Sequence, residues 1–162
     1  MHSSRALVAA LALSACSAPS ELATPGREIA TANNATAVDG AKGTEMTNTE
    51  ILITTGNGQL RARLANNEAA KALARMLPLS LEMRDHLRQE KTGELPSRLP
   101  DGERQTEFAV GTLGLWEDRD FVIYYGQGRV PAPGIIILGQ VSGDLSQFDN
   151  PEGVTVSLAL AD

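Results

Sequence analysis

The stretch that decides the fold is TLGLWEDRDFVIYYGQGRVPAPGIIILGQV, residues 112 to 141. Within it LGLW, FVIYYG and GIIILGQV are short apolar runs rich in β-branched and aromatic residues, separated by EDRD and by the Gly/Pro-bearing GQGRVPAPG. That pattern predicts three strands joined by turns. TEFAVG (106–111) before it, and VTVSLAL (154–160) beyond the turn-rich VSGDLSQFDNPEG, continue the series. Short strands with frequent turn signals predict a mainly β domain, either a closed barrel or a sandwich. All six aromatic residues, Phe108, Trp116, Phe121, Tyr124, Tyr125 and Phe148, fall in this half, so a site that grips a ligand is expected here.

Working towards the N-terminus, residues 85–105 (DHLRQEKTGELPSRLPDGERQ) are charged or turn-forming and read as a long surface loop. LSLEMR (79–84) alternates Leu79, Leu81 and Met83 as a strand. NNEAAKALARMLP predicts the one main helix, with Asn66 or Asn67 as N-cap, Glu68 in the first turn, a face of Ala69, Leu73 and Met76, and Pro78 as its stop. EILITT and QLRARL flank Asn57-Gly58 and read as a hairpin, with Arg61 and Arg63 facing water. One helix is too few for alternating strand–helix–strand units.

The first residues have a different character. MHSSRALVAALALSAC carries Arg5, then an apolar stretch from Ala6 to Leu13, then small residues. This is the layout of a secretory signal, and its apolar stretch is far shorter than the roughly 20 residues that span a bilayer. Leu13-Ser14-Ala15-Cys16 resembles the lipobox of bacterial lipoproteins, which implies cleavage before Cys16 and lipid attachment to its thiol. A single cysteine makes no intrachain disulfide, and two or three acyl chains suffice for stable anchoring. Ser17 after the cysteine resembles the outer-membrane sorting pattern. The expectation is therefore a signal peptide over 1–15, lipidated Cys16 with a disordered linker over 16–49, and a folded domain over 50–162. The linker lacks aromatics and any hydrophobic period; as a coil of about 33 residues it reaches on the order of 30 Å. The expected place is the cell envelope, on the periplasmic face of the outer membrane.

Composition narrows the chemistry. The formal charge of −6 on 162 residues, −7 once Arg5 has gone, opposes nucleic acid and anionic surfaces. After processing His86 is the only histidine and no free cysteine remains. This leaves no Cys/His dyad and no zinc site with two or more His or Cys ligands, and a Ser-His-Asp triad would have to use His86. Gly126-Gln127-Gly128 lacks the third glycine of a dinucleotide loop, and Glu117, Asp118 and Asp120 read as a turn without the spacing of a calcium loop. No cofactor or metal is expected.

The order of hairpin, AKALARMLPLSLEM, GELPSRLP, VGTLGLWEDRDFVIYYG, a proline-bearing loop and IIILGQV resembles the bacterial cyclophilin-like domain proteins, from about Ile51 to Leu160. Its clearest elements are Trp116, Tyr124-Tyr125-Gly126, Pro131 to Gly134 and Leu138-Gly139. The resemblance implies a small closed β-barrel capped by helical turns. It does not carry prolyl isomerase activity with it. Authentic cyclophilins place an arginine five residues before a phenylalanine, near a Gln-Gly-Gly-Asp run. Here Arg104 precedes Phe108 by four, Arg119 precedes Tyr124 by five, and no such run occurs.

The loop YYGQGRVPAPG then has two readings. In one it only connects strands, its glycines turning and Pro131 and Pro133 stiffening the return. In the other Trp116, Tyr124, Tyr125, Arg129 and Pro131 line a groove for an extended peptide or small apolar ligand. Two functions follow: a non-catalytic binding module on a lipid tether, or a divergent envelope prolyl isomerase. Isomerisation needs only a placed cation and an apolar pocket against a barrier of about 18–20 kcal/mol. An arginine aimed into the groove favours the isomerase, and one held in a surface ion pair favours the binding module.

Overall fold

The computed structural model describes residues 44–162; the expected signal peptide, Cys16 and most of the expected linker lie outside them. Strands β1 (Met46–Thr55) and β2 (Gly58–Ala65) form the expected antiparallel hairpin. Ile51, Ile53, Ala62 and Leu64 point inward, while Arg61 and Arg63 face outward beside Glu50. Strand β1 starts at Met46, ahead of the expected domain boundary. Its first residues are held by hydrogen bonding, with the Thr47 hydroxyl donating to Leu64 O at 2.9 Å, and so carry no hydrophobic period.

Helix α1 (Glu68–Met76) follows the predicted cap: Asn67 Oδ1 accepts from Ala70 N at 2.9 Å. The same side chain donates through Nδ2 to Ile137 O at 2.8 Å, fixing the helix start to the barrel wall. Ala69, Ala70 and Leu73 are buried beneath it, and Met76 packs at the margin of the core.

Strand β3 (Leu79–His86) is longer than expected, and the region predicted as a loop over 85–105 contains strand β4 (Glu90–Glu94), which pairs with β3. The extra strand is hidden for a local reason. Of the three turn residues joining β3 to β4, Leu87 and Arg88 adopt φ of 54° and 57°, the mirror-image turn normally marked by Asn-Gly or Asp-Gly. Without that signature, and with a strand reading EKTGE, the hairpin leaves no trace in composition.

Strands β5 (Arg104–Gln105), β6 (Glu107–Phe108), β7 (Thr112–Trp116), β8 (Asp120–Tyr124), β9 (Gly128–Arg129), β10 (Ile135–Ser142) and β11 (Val154–Leu160) complete the set, with a 3₁₀ turn at Ser146–Phe148 before the last. Eight strands close a barrel in the order β1-β2-β10-β7-β8-β4-β3-β11, each antiparallel to its neighbours, with β11 returning to β1. Strand β5 extends one margin, and β6 pairs with β9 as a separate ribbon.

Closure depends on Gly139, where β10 slips register against β7 while pairing with Leu64 of β2. A Cβ there would lie 2.5 Å from Arg63 O, so only glycine lets the two strands meet. The interior holds Ile51, Leu73, Leu113, Leu115, Phe121, Ile123, Leu138 and Phe148. A second apolar cluster of Phe108, Val122, Tyr124, Val130 and Ile135 lies on the opposite face of β7, β8 and β10. The loop from Gly126 to Gly134 thus does more than connect strands: with β6 it supplies the ribbon that buries those strands on both faces. Continuous apolar runs such as FVIYY and GIIIL result.

Candidate functional site

Cross-strand register builds the site. On the outward face of β3, β4, β8 and β7, His86 lies opposite Glu90, and Glu90 opposite Tyr124. One step along, Arg84 faces Thr92, Thr92 faces Val122 and Val122 faces Gly114. A further step pairs Asp120 with both Glu94 and Trp116. An open depression of about 240 Å³ lies over these rows, lined by Arg84, His86, Glu90, Thr92, Trp116, Glu117 and Asp120.

The aromatic wall is locked in place. Trp116 Nε1 donates to the Tyr124 hydroxyl at 3.1 Å, and Tyr124 stacks on Phe108 with ring centroids 3.8 Å apart and planes inclined by 22°. Gly114 leaves room beneath: a Cβ there would lie 3.1 Å from the Tyr124 ring. Tyr124 is the cross-strand neighbour of Glu90, and the hydroxyl and the carboxylate act on each other. Burial, reinforced by the charge of Glu90, raises the Tyr124 hydroxyl well above its ordinary pKa.

Glu90 is the unusual member. It is 2% exposed, and its Oε2 has no hydrogen-bond partner. Removal from water raises its pKa above the usual carboxylate value, and the neighbouring Tyr124, His86 and Gln89 side chains offset only part of that. A buried acceptor left unpaired costs about 1–3 kcal/mol, which marks the position as one that a ligand donor would relieve. Arg84, on the same face, makes no ion pair among the described residues.

The expected groove residues occupy separate places. Trp116 and Tyr124 come together as described. Tyr125 points to the other side of β8, because successive side chains of a strand alternate; it packs against the barrel core, and its hydroxyl donates to Asp85 Oδ1 at 2.5 Å. Arg129 is on the ribbon, its side chain 74% exposed and paired with Glu107. Pro131 opens an exposed turn closed by Gly134 N donating to Pro131 O at 3.0 Å. Cys16 lies outside the described residues. His86 is exposed at the rim of the depression, whose lining includes neither serine nor cysteine. Among the described residues no group of three or more His, Asp or Glu side chains is placed to hold a metal ion.

Tyr125 belongs to a structural cluster. Lys91 is fully buried, and its Nζ donates to Asp85 Oδ1 at 3.0 Å, Asn150 O at 2.5 Å and Glu152 O at 2.7 Å, with the Tyr125 ring centroid 5.7 Å away. Burial alone would raise the pKa of Asp85, but hydrogen bonds from Tyr125 and Lys91, together with the Lys91 charge, hold it below the ordinary value. This clamp fastens β4 to the segment ahead of β11, and its donors are satisfied.

Glu90, Arg84 and Thr92 escaped the sequence reading because their convergence depends on the hidden β3–β4 hairpin. A buried carboxylate in a run of charged residues gives no sequence signal.

The fold has a counterpart among solved structures: the solution structure of the hypothetical protein AF2241 from Archaeoglobus fulgidus superposes with a TM-score of 0.58, at 16% identity, covering 75% of this chain and 99% of that one. No curated protein matches significantly. The model of the cyclophilin-like family matches residues 53–159, almost the entire barrel. This chain is a member of the cyclophilin-like family.

Proposed function

We propose that the chain is a non-catalytic binding module of the bacterial cell envelope, carried by a lipid on Cys16 and a linker on the periplasmic face of the outer membrane. Its ligand, a peptide or small molecule, sits in the depression beside Trp116, whose indole is held from behind by Tyr124. The observation that carries this reading is the unpaired Glu90 Oε2 beneath a fixed aromatic wall. Concave sites with an aromatic side and a few placed polar groups are built to bind.

The guanidinium positions speak against isomerase chemistry. Arg129 pairs with Glu107 at the surface, which is the arrangement that favours the binding module. Arg104 is tied to Asp101 and to the carbonyls of Gly134 and Glu117, and Arg119 to Glu94 and Leu95 O. Arg84 shares its depression with three carboxylates rather than an apolar pocket. Membrane attachment rests on the sequence, since no helix among the described residues is long and apolar enough to cross a membrane.

The test is NMR on the full chain in detergent micelles with Xaa-Pro peptides, recording the Trp116 indole resonance and cis/trans exchange. Indole shifts without faster exchange are expected. Faster exchange, abolished by Arg84→Ala or Arg129→Ala, would replace the binding module by the isomerase. For the anchor, Cys16→Ser should move the protein from the membrane to the soluble envelope fraction, and continued membrane association would overturn it.

A further inference from the structure

Resting on the binding-module reading, we propose that the depression over β3, β4 and β8 takes a small zwitterion of the amino-acid class, its ammonium donating to Glu90 Oε2 and its carboxylate held by Arg84. The two protein groups carry opposite charge, line the same cavity and are not paired with each other or with another ionic side chain. Because Arg84 faces Thr92, Glu90 is its diagonal neighbour across the β3–β4 pair, a separation of about 7–8 Å between Cα atoms. A ligand that bridges them must carry its two charges only a few atoms apart.

The remaining lining fits the same ligand. Glu117 and Asp120 add negative charge at the rim, beyond the Arg84 row, which favours a ligand that carries a cation over one that is only anionic, and His86 stands across the strand pair from Glu90. The Trp116 indole offers an apolar wall for a side chain, held by its hydrogen bond to Tyr124. At about 240 Å³ the space falls below the roughly 300–1,000 Å³ of sites for drug-sized molecules, which suits a molecule of few heavy atoms. A purely anionic ligand would meet three carboxylates, and a purely apolar one would leave both the carboxylate and the guanidinium without a partner.

Trp116 is the only tryptophan in the chain, so its indole N–H resonance is an unambiguous reporter. The full chain in micelles is titrated with L-alanine, ethylamine and propionate, followed by that resonance and by calorimetry. Alanine should bind more tightly than either half-ligand. Glu90→Gln should weaken alanine by about tenfold or more, the scale of a lost hydrogen bond to a charged group. Arg84→Ala should reduce alanine to the affinity of ethylamine; Arg84 is exposed, so this variant carries the test if Glu90→Gln fails to fold.

Propionate matching alanine, alanine binding unchanged in both variants, or no response to alanine would each overturn the inference. If an Xaa-Pro peptide then moves the indole resonance where alanine does not, the ligand class is wrong and the binding module survives. If neither moves it, both fail.

Discussion

Replacing Lys91 by methionine tests the clamp that joins β4 to the segment ahead of β11. Methionine keeps the length and apolar stem but removes an ammonium that is fully buried and donates to Asp85, Asn150 O and Glu152 O. Removing one partner of a buried ion pair costs about 3–5 kcal/mol, because the other charge stays buried without compensation. Set against a total stability of about 5–15 kcal/mol, that is a large share. Urea unfolding followed by far-UV circular dichroism at neutral pH reads it directly. Asp85→Asn alone strands the ammonium and should also destabilise, whereas the double variant should lose less than the two singles combined, since neighbours in one network couple by about 0.5–3 kcal/mol. The sign against pH follows from the lowered pKa of Asp85. Its contribution is present above the ordinary carboxylate value and is lost as pH falls through the folded one, so Lys91→Met should blunt the acid side of the stability profile. A loss under about 1 kcal/mol for the single variant, or simple additivity in the double, would refute the reasoning.

Three further outcomes are expected. Leu87 and Arg88 hold left-handed backbone at an exposed hairpin tip, so Leu87→Asn/Arg88→Gly should raise stability by about 1–2 kcal/mol in thermal unfolding; a fall would show that the tip is not strained. Gly139→Ala places a Cβ against Arg63 O and should cost about 1–3 kcal/mol, with faster amide exchange along β2 and β10; wild-type behaviour would mean the closure tolerates a side chain. Glu90, with its raised pKa, contributes stability that is complete below the ordinary carboxylate value and is lost as pH rises through the folded one. Glu90→Gln should flatten that decline in a pH series of denaturation curves, and an unchanged slope would sink the assignment.

How much of this was legible depends on what each element leaves in the sequence. Strands β7, β8 and β10 showed as apolar runs, and the ribbon over their outer face explains why those runs are unbroken. Helix α1 was readable from Asn67, Glu68 and the spacing of Ala69 and Leu73, since caps and periodicity are local. Strand β4 was hidden: Lys91 goes inward by meeting Asp85 and two carbonyls, Glu90 is buried as a charged residue, and neither looks like a strand position. The aromatic part of the site was visible as Trp116 and Tyr124, while its polar part waited on a hairpin whose turn residues announce nothing. Tyr125 could have been separated from Tyr124 by strand alternation alone.

The β6–β9 ribbon lies outside the closed barrel, held by two residue pairs, the Val130 N to Thr106 O hydrogen bond at 2.8 Å and the stacking of Phe108 on Tyr124. None of the barrel's eight ladders runs through it. The protein therefore has two tiers of cooperativity, a shell that can lift and a barrel that persists beneath it. The Val130 amide should exchange with deuterium through a local opening well below the global free energy, while the amides of Val122 and Ile123 wait for complete unfolding.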